Sequence, residues 1–270
     1  MNIFGVDFSG ALDAGRKIWI CQAQARDDRL YLNSLTPVMD LPSHQMERDK
    51  AIAVLRAMIA ESGVSVWGMD FPFSLAAAHM GYPTWEAFVR AFASDYPNPE
   101  LLRVRDHAWR YTDKATKTPL GPTNLRIYRQ TYYGIRDLLA LLCVDDHPDK
   151  ERWSDTAGKS AIARAIPMQA YDPALTALIE VCPTSTLRRM GTYRAYKGTV
   201  LSLKAERVRI TTILEAVGVV WTDSMRALIP NNADADSLDA VIAAYAAWQA
   251  IPVLGNPVEP IEQLEGKVYA

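Results

Sequence analysis

The chain has 270 residues, 49% of them hydrophobic and 22% charged, and carries a formal net charge of −2. That balance supports a packed core and excludes a disordered, highly charged polymer. It also excludes a global basic field of the kind that marks many nucleic-acid proteins, and no apolar run reaches the ~20 residues of a membrane span.

Residues 2–8 read as a buried strand that breaks at Ser9-Gly10. Lys17–Ala25 alternates as a second strand, Arg29–Val38 reads as a third, and Asp27-Asp28 supplies the turn between them. Short turns between consecutive strands predict an antiparallel meander. From Asp49 to Ser62, Ile52, Leu55, Met58 and Ile59 recur at helical spacing, and Gly63 ends the helix. Val64–Asp70 is the next strand, so the intervening helix predicts a parallel crossover. Residues 76–175 read as a mainly helical insertion, with helical stretches at 84–94, 132–144 and 159–165. Leu175–Cys182 is an apolar strand, a helix follows at 200–217, and an Ala-rich helix spans 234–250. The tail 251–270 ends in a short edge strand around Val268-Tyr269. These elements predict one α/β domain over 1–270, with a mixed sheet of antiparallel meander plus parallel strands, and 76–175 inserted into it.

Two segments echo each other: Phe4-Gly5-Val6-Asp7-Phe8 and Trp67-Gly68-Met69-Asp70-Phe71. Each ends an apolar strand in an aspartate, and functional residues of open α/β sheets gather at such carboxyl ends. A lone aspartate there more often caps a turn. Two in matching contexts favour a site. Asp236 and Asp239 lie three apart in a helix, on one face. Asp234 or Asp236 suits helix capping, whereas Asp239 precedes the apolar run Ala240–Tyr245, which favours a buried site. Glu180, late in its strand, reads equally as an accessory ligand or as the buried partner of Lys197 or an arginine.

The segment from Arg103 to Arg136 is the one strongly basic region. Arg103, Arg105, Arg110, Arg126 and Arg129 alternate with Trp109, Tyr111, Tyr128, Tyr132 and Tyr133. Guanidinium groups for phosphate and aromatic rings for stacking suit single-stranded nucleic acid, while a solvated helical lid with inward rings accounts for the same pattern. Ala157-Gly158-Lys159-Ser160 fails as a phosphate loop, because its first glycine falls at Trp153. His44, His79, His107 and His147 show no ligand spacing. Cys21, Cys143 and Cys182 form neither a disulfide framework nor a zinc pattern. The first ten residues lack a basic n-region, so no signal peptide and a cytoplasmic location are expected.

Five motifs are spread from one end of the chain to the other: Gly5-Val6-Asp7-Phe8-Ser9-Gly10-Ala11, Gly68-Met69-Asp70-Phe71-Pro72-Phe73-Ser74, Glu180-Val181-Cys182-Pro183-Thr184, Asp236-Ser237-Leu238-Asp239-Ala240 and Glu265-Gly266-Lys267-Val268-Tyr269. Together they resemble the family called domain of unknown function 429, described as ribonuclease H-like nucleases. The resemblance implies a ribonuclease H-like fold and a nuclease acting on nucleic acid with two Mg²⁺ or Mn²⁺ ions. The layout of acids is similar to that of Holliday-junction resolvases. It implies Asp7 bridging the ions, Asp70 and Asp239 holding one each, and Asp236 assisting. Ala235 stands where the family pattern has a histidine, so no histidine acid is implied. Two other classes remain: an ATP-dependent phosphotransferase of the actin-like or sugar-kinase type, for which Asp7-Phe8-Ser9-Gly10 resembles a first phosphate loop, and a non-catalytic nucleic-acid-binding or scaffold protein.

Overall fold

The structure, a computed structural model, describes residues 1–148 and 160–270. The meander forms as the alternation predicts: β1 (Asn2–Asp7), β2 (Trp19–Arg26) and β3 (Arg29–Pro37) pair antiparallel. Asp27 and Asp28 both take positive φ, as the two-residue hairpin turn demands. The second strand starts at Trp19, because the short helix α1 (Ala14–Lys17) takes up the residues before it. Helix α2 (Arg48–Glu61) then crosses to β4 (Ser65–Asp70), which lies parallel to β1.

The insertion carries α3 (Ala77–Met80), α4 (Trp85–Asp95), α5 (Pro99–Arg103), α6 (Tyr111–Thr116) and α7 (Tyr128–Gly134). A π-helical turn at Ile135–Leu139 leads from α7 into α8 (Ala140–Cys143). The helix expected at 159–165 is not there. Residue 159 lies outside the described residues, as do Trp153 and most of the Ala157–Ser160 motif, and Ala163–Ile166 is a strand, β5. Pro167 follows directly, which disfavours helical backbone at Ile166, and the strand finds a parallel partner in β6 (Thr176–Val181). After β6 come α9 (Pro183–Arg189), α10 (Leu201–Ala216), β7 (Val219–Val220), α11 (Asp223–Leu228), α12 (Asp236–Ala250), α13 (Pro260–Glu265) and β8 (Val268–Tyr269).

The strands form one mixed sheet in the order β5-β6-β4-β1-β2-β3-β7, with β8 beside the end of β6. One face packs Phe4, Val6, Trp67 and Met69 under α2 and the insertion. The other packs Ile3, Val66 and Ile179 under α10 and α12. Helix α12 is apolar on nearly every side, as a helix buried all round must be. Gly5 and Gly68 are register partners beneath it. A Cβ on Gly5 would lie 2.1 Å from the Ala240 carbonyl oxygen, and one on Gly68 would lie 2.5 Å from that of Ala243. The two glycines thus make a trough in which α12 rests directly on backbone.

Candidate functional site

The trough explains how the acids meet. Asp7 and Asp70 follow the glycines by two residues, so they project from the same face, and they are themselves register partners. Asp239 lies one residue before Ala240, whose carbonyl rests over Gly5, and so reaches the strand ends from above. One carboxylate oxygen from each of Asp7, Asp70 and Asp239 falls within a 4.8 Å cluster. Both Asp7 and Asp239 are buried.

The next segment supplies counter-charge. Tyr196 donates its hydroxyl to Asp239 Oδ1 at 2.5 Å, and the Lys197 ammonium pairs with Asp239 Oδ2 at 2.5 Å. Arg207 on α10 fixes that segment by donating to the carbonyls of Tyr196, Gly198 and Pro230, while the Gly198 amide donates to Ala233. The strap bearing Lys197 is thereby fastened to the chain leading into α12. One ammonium faces three carboxylates. Burial, then the charge of Asp239, raises Asp7 well above the ordinary carboxylate range, and the same causes push Asp70 up to about 8. Asp239 holds Lys197 firmly protonated. The site is short of positive charge, and a hard divalent cation with oxygen ligands would supply it.

No family model, no curated protein and no solved structure matches the chain. The residues themselves carry the functional reading.

Asp236 sits in the first turn of α12 but outside the cluster. Burial pushes it up to about 6, and it lines a groove on the outer side of Lys197. Ala235, at positive φ, occupies the cap position and Asn232 Oδ1 accepts from the Ser237 amide, so the capping role expected of Asp236 is not what it does.

Glu180 is neither a ligand of the cluster nor a partner of Lys197. It alternates with Ile179 and so leaves the opposite face of the sheet, where Arg110 takes it. Arg110 is correspondingly not a surface phosphate contact. It is 1% exposed and grips Asp113 with Nε and Nη2 and Glu180 with both Nη atoms, while Nη1 also reaches the Glu265 carbonyl. The remaining arginines divide. Arg103 pairs with Glu100 at 2.6 Å and Arg105 lies over the Tyr96 ring, both away from the acids. Arg126 and Arg129 line the groove that reaches Asp7 and Lys197.

Two cavities meet at the acids. An inner chamber of about 270 Å³ holds Asp7, Asp70 and Asp239 at its mouth. The outer groove, about 560 Å³, runs past Ser9, Lys17 and Arg129. Asp7, Arg126, Gln130 and Lys197 line both. Gln130 donates to the Phe8 carbonyl and so ties α7 to the end of β1 between them. Cys182 also lines the chamber, but burial pushes its thiol up to about 12, which removes it as a nucleophile.

Tyr196 and Arg207 escape sequence reasoning. Tyr196 acts through a strap with no periodicity, and Arg207 sits in a helix where an arginine carries no distinctive signal.

Proposed function

We propose that this protein is a metal-dependent phosphodiesterase of ribonuclease H-like type, acting on nucleic acid. The observation that carries the reading is the convergence of Asp7, Asp70 and Asp239, from two strand ends and a helix far apart in sequence, at the junction of two cavities. The donor set is all carboxylate oxygen, which fits Mg²⁺ or Mn²⁺ and not a soft metal. Asp7, Asp70 and Asp239 would hold the ions, with Asp236 at the edge. Bound, such ions supply positive charge at the phosphoryl oxygens and ease the loss of a proton from the attacking water.

The chain's own groups do the rest. Lys197, about half exposed and anchored on Asp239, directs a positive charge toward a phosphate lying across the junction. Arg126 makes no ion pair among the described residues and lines both cavities, so its guanidinium is available to the same phosphate. Arg129 and Lys17 extend positive charge along the groove. Tyr196, its proton retained through burial and the charge of Asp239, holds that carboxylate in place.

The phosphotransferase reading is less well supported. Kinases of that type duplicate the fold around an ATP cleft, and the described residues make one sheet. A scaffold has no use for three carboxylates in mutual repulsion, two of them buried.

The test is a set of melts and a cleavage assay on wild type and Asp7→Asn. Mn²⁺ at 100-fold excess over Kd should stabilise the wild type by about 2.7 kcal/mol, roughly 5–10 °C for a chain of this size. The variant should lose that shift and the cleavage of nucleic acid. Without metal it should melt at or above the wild type, because neutralising one carboxylate relieves repulsion. If Mn²⁺ stabilises neither protein and the variant melts lower, Asp7 is structural and the nuclease reading fails.

A further inference from the structure

The inner chamber has no role yet beyond bordering the acids. Its floor is the trio Arg110, Asp113 and Glu180, each almost wholly buried. The guanidinium has five N–H groups, and five contacts with Asp113, Glu180 and the Glu265 carbonyl use them. The floor therefore has no donor left for a phosphate. Its acceptors are nearly all taken too: Asp113 accepts from the Arg110 amide and guanidinium and from Thr118, and Glu180 Oε2 accepts from Arg110 and the Phe73 amide, which leaves one lone pair, on Glu180 Oε1, for an N–H group. The walls mix apolar side chains with the polar groups of Thr118, Gln130 and Thr184. Pro119, Leu120 and Ile127 face in from the insertion, and Pro72 and Pro183 from the sheet ends. Positive charge is confined to the mouth, at Lys197 and Arg126.

A ligand matched to this gradient has an anionic end at the mouth, a flat body between the prolines and leucine, and an N–H group at the tip. A nucleotide has that form: phosphate, then a base with π-faces and donor edges. The volume sets the number of units. At about 270 Å³ the chamber lies at the small end of ligand sites, roughly 300–1,000 Å³. It takes one base. It does not take a duplex, whose major groove alone is about 12 Å wide. Bases that reach protein pockets of this kind are unstacked and held between apolar side chains.

We propose that the chamber seats the base of one unpaired nucleotide, with its phosphate at the acids and the rest of the strand along the outer groove. The substrate class is then single-stranded nucleic acid, or the frayed end of a duplex, engaged one unit at a time. This rests on the phosphodiesterase reading. The reaction is hydrolysis: the water oxygen bonds to phosphorus, one P–O bond to sugar breaks, and the sugar oxygen leaves as a hydroxyl with a proton from that water.

The experiment separates the two readings. Melts are recorded for the full chain with Mn²⁺ alone and with Mn²⁺ plus each of the four nucleoside 5′-monophosphates, for wild type and Leu120→Trp. Leu120 is half-buried in the chamber wall and belongs to the insertion, off the strands and helix that carry the acids, so the indole fills the chamber and leaves the cluster intact. The expected result is an equal Mn²⁺ shift in both proteins, and a monophosphate affinity that falls at least about tenfold in the variant, as pocket-filling changes commonly cause. Ile127→Trp fills the same space from the cap of α7 and replaces Leu120→Trp where that variant does not fold. A Mn²⁺ shift with no monophosphate effect, or one equal in both proteins, overturns the chamber proposal alone. So does a blunt duplex that competes with the monophosphate as well as a single strand does. No Mn²⁺ shift in either protein overturns both readings.

Discussion

Replacing Gly5 or Gly68 by alanine tests the positioning of Asp239 without touching a carboxylate. A new Cβ would lie 2.1 Å from the Ala240 oxygen at Gly5 and 2.5 Å from the Ala243 oxygen at Gly68. Close carbon–oxygen contacts settle at about 3.3 Å. The deficits are therefore about 1.2 Å and about 0.8 Å, and in both cases the neighbour is helix backbone, which cannot rotate away. Helix α12 has to lift. Overpacking of this kind costs about 1–3 kcal/mol, set against about 0.4–1 kcal/mol regained because alanine restricts the unfolded chain. Gly68→Ala should lower the melting temperature by a few degrees, and Gly5→Ala, with the larger deficit and two backbone neighbours at 2.1 Å, by more. Lifting α12 also withdraws Asp239 from Asp7 and Asp70, so the Mn²⁺-induced shift should shrink in the same order. The assay is thermal unfolding followed by circular dichroism, with and without Mn²⁺. Wild-type melting in both variants, or a larger loss at Gly68, would refute the close approach of the helix to the strands. A full Mn²⁺ shift in a destabilised Gly5→Ala would refute its role in placing Asp239.

In the absence of divalent ions, stability should fall as pH rises. Asp70, pushed up to about 8, and Asp236, to about 6, bind protons in the fold that they release at about 3.9 when unfolded, so their contribution is complete below about pH 4 and lost by about pH 8. The melting-temperature difference between wild type and Asp70→Asn should change across that window, and a flat difference refutes the shift; the Mn²⁺ effect should grow with pH, because the ion needs the deprotonated carboxylates. Arg110→Met should cost about 3–5 kcal/mol, since it leaves Glu180 and Asp113 buried without a cation, and calorimetry showing a near-wild-type melt would refute the buried trio. Arg126→Ala and Arg129→Ala should leave the melt within about a degree yet each reduce the slope of log affinity against log salt by about one in filter binding to a single-stranded oligonucleotide; an unchanged slope removes both from the phosphate path.

The acids were legible because each stands where a local rule has no use for it: at the end of an apolar strand, or ahead of an apolar helical run. Alternation and turn chemistry likewise made the meander readable. The Gly-x-Asp echo was visible in the sequence, but the reason for the glycine was not. That needs the register partner and the helix lying across both strands, which are separated by 172 positions from Gly68 to Ala240. Glu180 shows the same limit. Its burial follows from its strand, but its choice of Arg110 over Lys197 depends on which face of the sheet it leaves. Strand β5 is illegible in the sequence because four residues of alanine, arginine and isoleucine carry no period of their own, and only β6 beside them decides the conformation. Arg110 is indistinguishable from its neighbours in the sequence, because burial is invisible in a run of similar charges.

The Arg110–Glu180 bond has a consequence for movement. It joins α6, in the insertion, to β6, in the sheet, and the Glu265 carboxylate adds hydrogen bonds from the amides of Ala77 and Tyr111. A hinge that swung the whole insertion off the acids would have to part these buried charges, at about 3–5 kcal/mol for the ion pair alone. Rigid opening is therefore closed to this protein as a way of admitting a strand. Whatever breathing the cleft allows falls to the exposed Leu125 and Arg126, since Pro122 and Thr123 before them are buried and held by hydrogen bonds to Thr131 and Asp106. Insertion and sheet should then unfold together, in a single calorimetric transition, with the wall of the chamber as the part that moves first.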